Sequence, residues 1–307
     1  MWSYTYNGGS VYLKRAIIVH GGAWKIPKNM EKPCLEGVEE AAKVAMNRLL
    51  DYNSALDAVE VAVKCMEDNP TFDAGVGSVL NAEGEIELDA AIMDGKTLNA
   101  GAVAAVRDIR NPISLARRVM ENSNHVFLVG EGANKFAALQ GFEKFDGLMV
   151  KRELERWKKL REKYSGTMKF SYNSGTVGAV AMGSHGNIAA ATSTGGIPFK
   201  LPGRVGDSCL IGCGLYADNR IGGVSATGYG ESIIKIVISK VVCELLGKGL
   251  TAQKAAEEGV KRLERKINGR GGVIVLDRKG NVGISYNTPK MARAYMTEGM
   301  NVPISSV

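Results

Sequence analysis

The stretch GTVGAVAMGSHGNIAAATST, residues 175–194, constrains the fold more than any other. Two runs of alternating residues flank Ser184, His185, Gly186 and Asn187, which carry the chemistry of a tight turn. That pattern predicts a β-hairpin, and a hairpin commits its sheet to antiparallel pairing. GGVIVLDRKGNVGISYNT predicts a second hairpin, turned at Arg278 to Asn281, and GEIELDAAIMDG with LNAGAVAAV a third strand pair joined by Asp94 and Gly95. RAIIVHGG, residues 15–22, is a short apolar run closed by glycines and reads as a buried strand. HVFLVG and IGGVSATG read as further strands. Helical spacing of apolar residues marks EKPCLEGVEEAAKVAMNRLL, SALDAVEVAVKCMEDN, the region Ser114 to Glu121, EGANKFAALQG, ESIIKIVISKVVCELLGKG and TAQKAAEEGVKRLERKI. Ser54 with Asp57 three residues on resembles a capping box. Each half of the chain runs strands, helices, strands. Hairpins outnumber strand–helix–strand units, which predicts an α+β fold with helices layered outside mostly antiparallel sheets.

Composition excludes several classes of function. The 307 residues, 45% hydrophobic, suffice for one large core or two modest ones. The net charge of +7 is diffuse, and its densest basic run, Val150 to Phe170, has acidic residues mixed into it. That run predicts a solvated helix rather than a nucleic-acid surface. The five cysteines are odd in number and widely spaced, which argues for plain thiols rather than a disulfide framework. Cys209 and Cys213 lack the His or Cys partners of a zinc site. MWSYTYNGGSVYLKR has no apolar signal core, and no run reaches the roughly 18 apolar residues of a membrane span. A cytoplasmic protein without membrane partners is expected.

Familiar site motifs fail on context. Gly212, Gly214 and Ala217 fit G-x-G-x-x-A, but turn and strand follow where a dinucleotide site needs a helix. Gly130 and Gly132 precede a helix but lack the third glycine. There is no Walker A run, no G-x-S-x-G elbow and no H-E-x-x-H. His20, His125 and His185 sit at a strand end, a strand start and a turn, where structural roles are expected. A hydrolase built on this chain needs a base other than histidine.

Thr176 can supply one itself. Cutting the bond before it would leave a free α-amine beside its hydroxyl, and an α-amine has a pKa of about 7.7–8.0. A useful neutral fraction can then take the proton of the attacking hydroxyl. Gly175 tolerates a strained backbone and leaves room for that hydroxyl to reach its carbonyl. A strand that merely begins Gly-Thr would look the same. Downstream, Ala191 to Asn219 is dense in glycine and polar residues. Arg204 offers a fork for a carboxylate and Asp207 can accept from an ammonium, so together they suit the ends of an α-amino acid. A local salt bridge would need the same spacing. Thr227 and Gly228 lie between a strand end and a helix start, where a hydroxyl and an N–H could stabilise an oxyanion or cap the helix.

Taken together, VHGGAW (Val19 to Trp24), NPTFDAGVGSVLN (Asn69 to Asn81), ELDAAIMDG (Glu87 to Gly95), SGTVGAVA, ATSTGG, LPGRVGDS, GCGLYADN and SATGYGE resemble the plant-type asparaginase/isoaspartyl peptidase family of N-terminal-nucleophile (Ntn) hydrolases. The resemblance covers nearly the whole chain. It implies a single domain, a four-layer αββα sandwich, and self-cleavage between Gly175 and Thr176. The α subunit would be residues 1–175, with 150–175 as a charged and mobile linker tail, and the β subunit residues 176–307. Two αβ pairs would associate as (αβ)2.

Carried residue by residue, the resemblance makes Thr176 the nucleophile towards the side-chain amide of L-asparagine or the isopeptide bond of a β-aspartyl dipeptide. Thr194 would orient it, Arg204 and Asp207 would hold the α-carboxylate and α-ammonium, and Thr227 and Gly228 would form the oxyanion hole. Gly228 and Gly230 would contact substrate through their backbones. No catalytic cofactor is implied. A structural sodium ion is, held by the backbone carbonyls of Met66, Glu67, Asn69, Phe72, Ala74 and Val76. Asp73 departs from the Asn usual in the family, and an ionised Asp cannot donate a hydrogen bond. Glycosylasparaginases and threonine aspartases share the chemistry but usually carry Asp, not Gly, before the threonine. A binding protein on a degenerate Ntn fold is the non-enzyme alternative; every reactive position is filled against it.

Overall fold

The computed structural model of the chain describes residues 12–163 and 175–307. Its first part runs β1 (Ala16–Trp24), α1 (Lys28–Tyr52), α2 (Ala55–Glu67), β2 (Leu88–Asp94), β3 (Ala100–Val106), α3 (Pro112–Asn122), β4 (Phe127–Val129), α4 (Gly130–Leu139) and α5 (Lys151–Lys163). The second part runs β5 (Val177–Met182), β6 (Ile188–Thr194), β7 (Leu215–Asp218), β8 (Gly222–Gly228), α6 (Gly230–Ile236), α7 (Ile238–Gly247), α8 (Ala252–Ile267), β9 (Gly271–Asp277), β10 (Val282–Tyr286), β11 (Lys290–Thr297) and β12 (Ile304–Ser306). An eight-stranded sheet has the order β12-β11-β1-β5-β6-β2-β3-β4, and a four-stranded sheet the order β10-β9-β8-β7. Every neighbouring pair is antiparallel except β3 with β4, which are parallel.

Alternation along the strands decides what each face meets. In β1 and β5, Ile17, Val19, Val177, Ala179 and Ala181 join a core with Val38 and Ala41 of α1 and Val59 and Val63 of α2. The residues between them, Ile18, Val180 and Met182, join a second core with Leu215, Ala217, Ile274 and Leu276 of the small sheet. A third core packs Val224, Ala226, Val273 and Val275 of that sheet against Val242 of α7 and Leu263 of α8. Strand residues of the large sheet thus pack against α1 and α2 at one set of positions and against the small sheet at the other, and residues of the small sheet pack against α7 and α8. The predicted hairpin forms in register, with Val177 opposite Ser193 and Met182 opposite Ile188.

Local chemistry sets the helix ends. Ser54 Oγ accepts from the Asp57 N–H at 3.1 Å, the cap its spacing predicts. The predicted single helix over 231–249 is two, α6 and α7, because Val237 adopts a left-handed backbone (φ 53°) between them. Of the charged stretch, α5 is tied down by Trp157, whose Nε1 donates to Asn81 O at 2.8 Å. The remainder, 164–173, lies outside the described residues. All five cysteines are free thiols. Among the described residues no helix is long and apolar enough to cross a membrane.

Candidate active site

Thr176 stands one residue before β5, in step with Gly178, Val180 and Met182, so its side chain belongs to the face between the sheets. It is buried, at 6% exposure, and its Oγ1 lies 3.2 Å from Ser208 Oγ. Ser208 is itself placed by Thr192, whose hydroxyl donates to the Ser208 carbonyl at 2.5 Å. One further step in the β5–β6 register brings Thr194 opposite Thr176. The Thr194 hydroxyl accepts from the Gly196 N–H at 3.0 Å, and the hydroxyl beside Thr176 is that of Ser208.

The end of β1 wraps the Gly175–Thr176 bond. His20 Nδ1 lies 3.0 Å from the Thr176 carbonyl and Nε2 lies 2.8 Å from Ser225 Oγ. A carbonyl only accepts, so Nδ1 carries the proton and Nε2 accepts from the serine. Burial drives the His20 pKa down to about 3, which keeps the ring neutral. Gly178 makes the space for this pair: a Cβ there would lie 2.1 Å from Ser225 Oγ and 2.5 Å from His20 Nε2. Two residues on, Gly22 (φ +100°) backs directly onto Gly175, where a Cβ would come within 2.5 Å of the Gly175 Cα. The Ala23 N–H donates to Thr227 Oγ1 at 3.3 Å.

The residues expected to anchor an amino acid lie together, with one addition. A Cβ on Gly230 would lie 2.9 Å from Arg204 Nη2 and 3.0 Å from Asp207 Oδ1, so these three residues share one corner. Arg204 makes no local salt bridge to Asp207 among the described residues; its Nε and Nη2 both donate to Glu231, each at 2.9 Å. Burial acts to raise the Glu231 carboxyl, but the Arg204 hydrogen bonds and charge outweigh it and hold the pKa below the usual range. Asp207 is pushed up to about 7, chiefly by burial, and its Oδ2 has no hydrogen-bond partner among the described residues. A buried carboxylate oxygen left open in this way is a place for a cationic ligand. Thr227 and Gly228 close β8 without capping α6, whose N-cap is Tyr229. Gly228 (φ +151°) passes so near β9 that a Cβ would meet the Gly271 Cα at 2.4 Å.

The loop after α2 bends at Gly75 (φ +53°) and Gly77 (φ +96°). Glu67 O accepts from the Val76 N–H and Asn69 O from the Phe72 N–H, leaving each a second lone pair. The carbonyls of Phe72, Ala74 and Val76 accept no hydrogen bond among the described residues. Hard carbonyl oxygens in a tight loop are the donor set an alkali cation takes. Asp73, inside this loop, accepts the Val79 N–H on Oδ1 at 2.9 Å and the Gly195 N–H on its carbonyl at 3.0 Å.

Two cavities share Trp24, Lys25 and Pro289 in their walls, and the first also reaches Gly175. One, about 710 Å³, is lined among others by Trp24, Lys25, Asp73, Gly175 and Pro289. The other, about 590 Å³, is lined by Trp24, Lys25, Tyr229, Asn268, Arg270, Asn287, Thr288 and Pro289.

Sequence reasoning singled out Thr176, Thr194, Arg204, Asp207, Thr227, Gly228 and Gly230 but not Ser208, Glu231 or the role of His20. Ser208 and Glu231 lie inside the motifs LPGRVGDS and SATGYGE, a signal of place without one of role.

Comparison with known proteins places similar chains beside this one. A family model described as asparaginase matches residues 13–304. The plant-type L-asparaginase of Pyrococcus horikoshii is 47% identical over 308 residues, covering 95% of this chain and 99% of that protein. The isoaspartyl peptidase/L-asparaginase of Danio rerio is 45% identical, covering 92% of each chain, and that of Bos taurus 45%, covering 92% and 93%.

Proposed function

The chain belongs to the asparaginase family matched over residues 13–304, and on that premise we propose that it activates itself by cutting Gly175–Thr176 and then hydrolyses β-aspartyl amide bonds with Thr176. The protein is an amidohydrolase of the L-asparaginase/isoaspartyl peptidase kind. Its substrates are L-asparagine, giving aspartate and ammonia, and β-aspartyl dipeptides, giving aspartate and an amino acid. The observation that carries the site assignment is the convergence on Thr176 of Ser208 at its hydroxyl, His20 at its carbonyl and Gly22 against the residue before it.

In the uncut chain Thr176 carries an amide, which is no base. Its Oγ1 attacks the Gly175 carbonyl carbon, the C–N bond breaks as the nitrogen takes a proton, and water hydrolyses the ester. The freed α-amine then takes the hydroxyl proton when Thr176 attacks substrate. Asp207 Oδ2 binds the substrate ammonium. Arg204 binds its carboxylate while Glu231 holds the guanidinium in a fixed plane. The Thr227 hydroxyl and the Gly228 N–H take the oxyanion, and the ester on Thr176 is released by water. Thr194 supports Thr176 from across the hairpin, and Gly230 leaves room for substrate between Arg204 and Asp207.

The same reading takes the three packed cores as an αββα sandwich of the Ntn-hydrolase type. The carbonyls of Met66, Glu67, Asn69, Phe72, Ala74 and Val76 would hold a sodium ion. Bound there, it would steady the loop that carries Asp73 and take no part in the chemistry. Association as (αβ)2 is supported by apolar side chains exposed at the β4 edge, Val126 and Val129.

A denaturing gel with parallel substrate assays tests the proposal. Wild-type protein is expected to run as two fragments divided at residue 175 and to release aspartate from L-asparagine. Thr176→Ala is expected to run as one band and to be inactive. Two fragments in Thr176→Ala would refute self-cleavage by this residue.

A further inference from the structure

The anchors of the proposed site account for one half of a β-aspartyl dipeptide. Arg204, Asp207 and Gly230 take the aspartyl part, and nothing so far described takes the amino acid that leaves. The 590 Å³ cavity lies at the right place for it: Tyr229 on its wall follows the oxyanion residue Gly228 directly, and Trp24, also on its wall, stands against Gly175. A Cβ built on Gly175 would lie 3.0 Å from Trp24 Cδ1. The wall has two aromatic rings, two amides, a threonine, a proline and two cations, Lys25 and Arg270, with no carboxylate. The neighbouring 710 Å³ cavity carries Glu31, Asp73 and Glu153 among its cations, so it suits an anion less well.

Lys25 is exposed at the junction of the two cavities and makes no ion pair among the described residues. Arg270 donates to Asn287 O at 3.0 Å and lies 3.7 Å from Glu264, a loose contact that leaves guanidinium donors for a ligand. Its backbone is fixed, because its carbonyl accepts the Tyr229 N–H at 2.9 Å. A cavity of several hundred cubic ångströms with an aromatic wall and a few polar groups is the usual form of a small-molecule subsite.

We propose that this cavity is the leaving-group subsite for β-aspartyl dipeptides, with the apolar side chain of the departing residue against Trp24 and its free α-carboxylate on Lys25 and Arg270. The inference rests on the hydrolase reading above. It makes the protein a dipeptidase by preference of charge: a second carboxylate, beyond that of the aspartyl part, strengthens binding.

The probes are β-aspartyl-leucine and β-aspartyl-leucinamide, which differ only in that carboxylate, with L-asparagine alongside. In wild-type protein KM is expected to be roughly fivefold lower for the acid than for the amide, the scale of one partly screened ion pair. In Lys25→Met and in Arg270→Gln the ratio of the two KM values is expected to fall towards one. Because both compounds are measured on the same preparation, a loss of folded protein cancels from the ratio. Equal KM values in wild type, or a ratio unchanged in both variants, would overturn the subsite. Protein that cleaves L-asparagine but not β-aspartyl-leucine would overturn it and leave the asparaginase reading standing. Protein that cleaves none of the three would overturn both.

Discussion

At the scale of single residues, the site is organised by groups whose charge the fold controls. His20 is neutral because burial holds its pKa near 3, so it can grip a carbonyl with one nitrogen and a serine with the other at any ordinary pH. Asp207 is its counterpart, a carboxyl raised to about 7 by burial, with one oxygen left without a hydrogen-bond partner among the described residues. A raised carboxyl pKa means that the folded state holds the proton more tightly than the unfolded one. Its stabilising contribution is complete below the ordinary carboxyl value of 3.8 and is lost as pH rises from there through about 7. His20 has the opposite slope, since its depressed pKa removes stability only as pH falls below 6.5 towards about 3. Above pH 6.5 the Asp207 slope therefore stands without opposition from His20. The melting temperature of substrate-free protein is expected to fall between about pH 6.5 and about pH 8, where Asp207 and the buried Glu67, raised to about 8, both give up their protons, and to fall less in Asp207→Asn. Thermal melts of the two proteins across that range check it, and equal slopes would remove Asp207 as the cause.

At the scale of elements, β5 does two jobs through one alternation. Its odd positions pack against helices, and its even positions, Gly178 among them and in step with Thr176 just before the strand, face the small sheet. Gly178 is the position where that alternation is most exposed to test. An alanine there would set a Cβ 2.1 Å from Ser225 Oγ and 2.5 Å from His20 Nε2, with strand backbone on either side to resist a shift. Gly178→Ala is expected to lose roughly 1–3 kcal/mol by overpacking and, by pushing His20 off the Thr176 carbonyl, to run mostly as one band. Denaturant melts and a denaturing gel read the two effects; fragments at wild-type stability would show that His20 is not needed there. The hairpin itself was legible in the sequence because its alternation is unbroken over β5 and β6. β11 was not, since Lys290 on one face and Arg293 on the other break its apolar pattern while β1 still pairs with seven of its residues. Neither was the break at Val237, where a β-branched residue takes a left-handed conformation that no local pattern announces. The site divides the same way. Thr176, Arg204 and Asp207 stand out in the sequence because each residue type suits one chemical task. The His20–Ser225 contact spans 205 residues, and local spacing says nothing about which buried polar group will meet which.

At the scale of the whole molecule, the bond proposed for cleavage lies at the middle of the large sheet's connectivity rather than at a boundary. Strands from before Gly175 and after it interleave: β12 and β11, then β1, then β5 and β6, then β2, β3 and β4. Three seams thus join the two halves, with seven paired residues between β1 and β11, five between β1 and β5, and six between β2 and β6. Each seam is a ladder of backbone hydrogen bonds buried under helices or under the second sheet, and unsatisfied backbone groups there would cost far more than the loss of one peptide link. Cutting Gly175–Thr176 removes a covalent tie without touching any ladder, so the halves must stay together, and neither can complete its part of the sheet alone. The fragments are expected to co-elute at native pH as one particle and to separate only in denaturant, and neither, expressed by itself, is expected to give a cooperative unfolding transition. Size-exclusion chromatography of cleaved protein, followed by a denaturing gel across the peak, reads the first outcome. Fragments eluting at separate volumes in native buffer would mean that the interleaved sheet does not hold the molecule together after the cut.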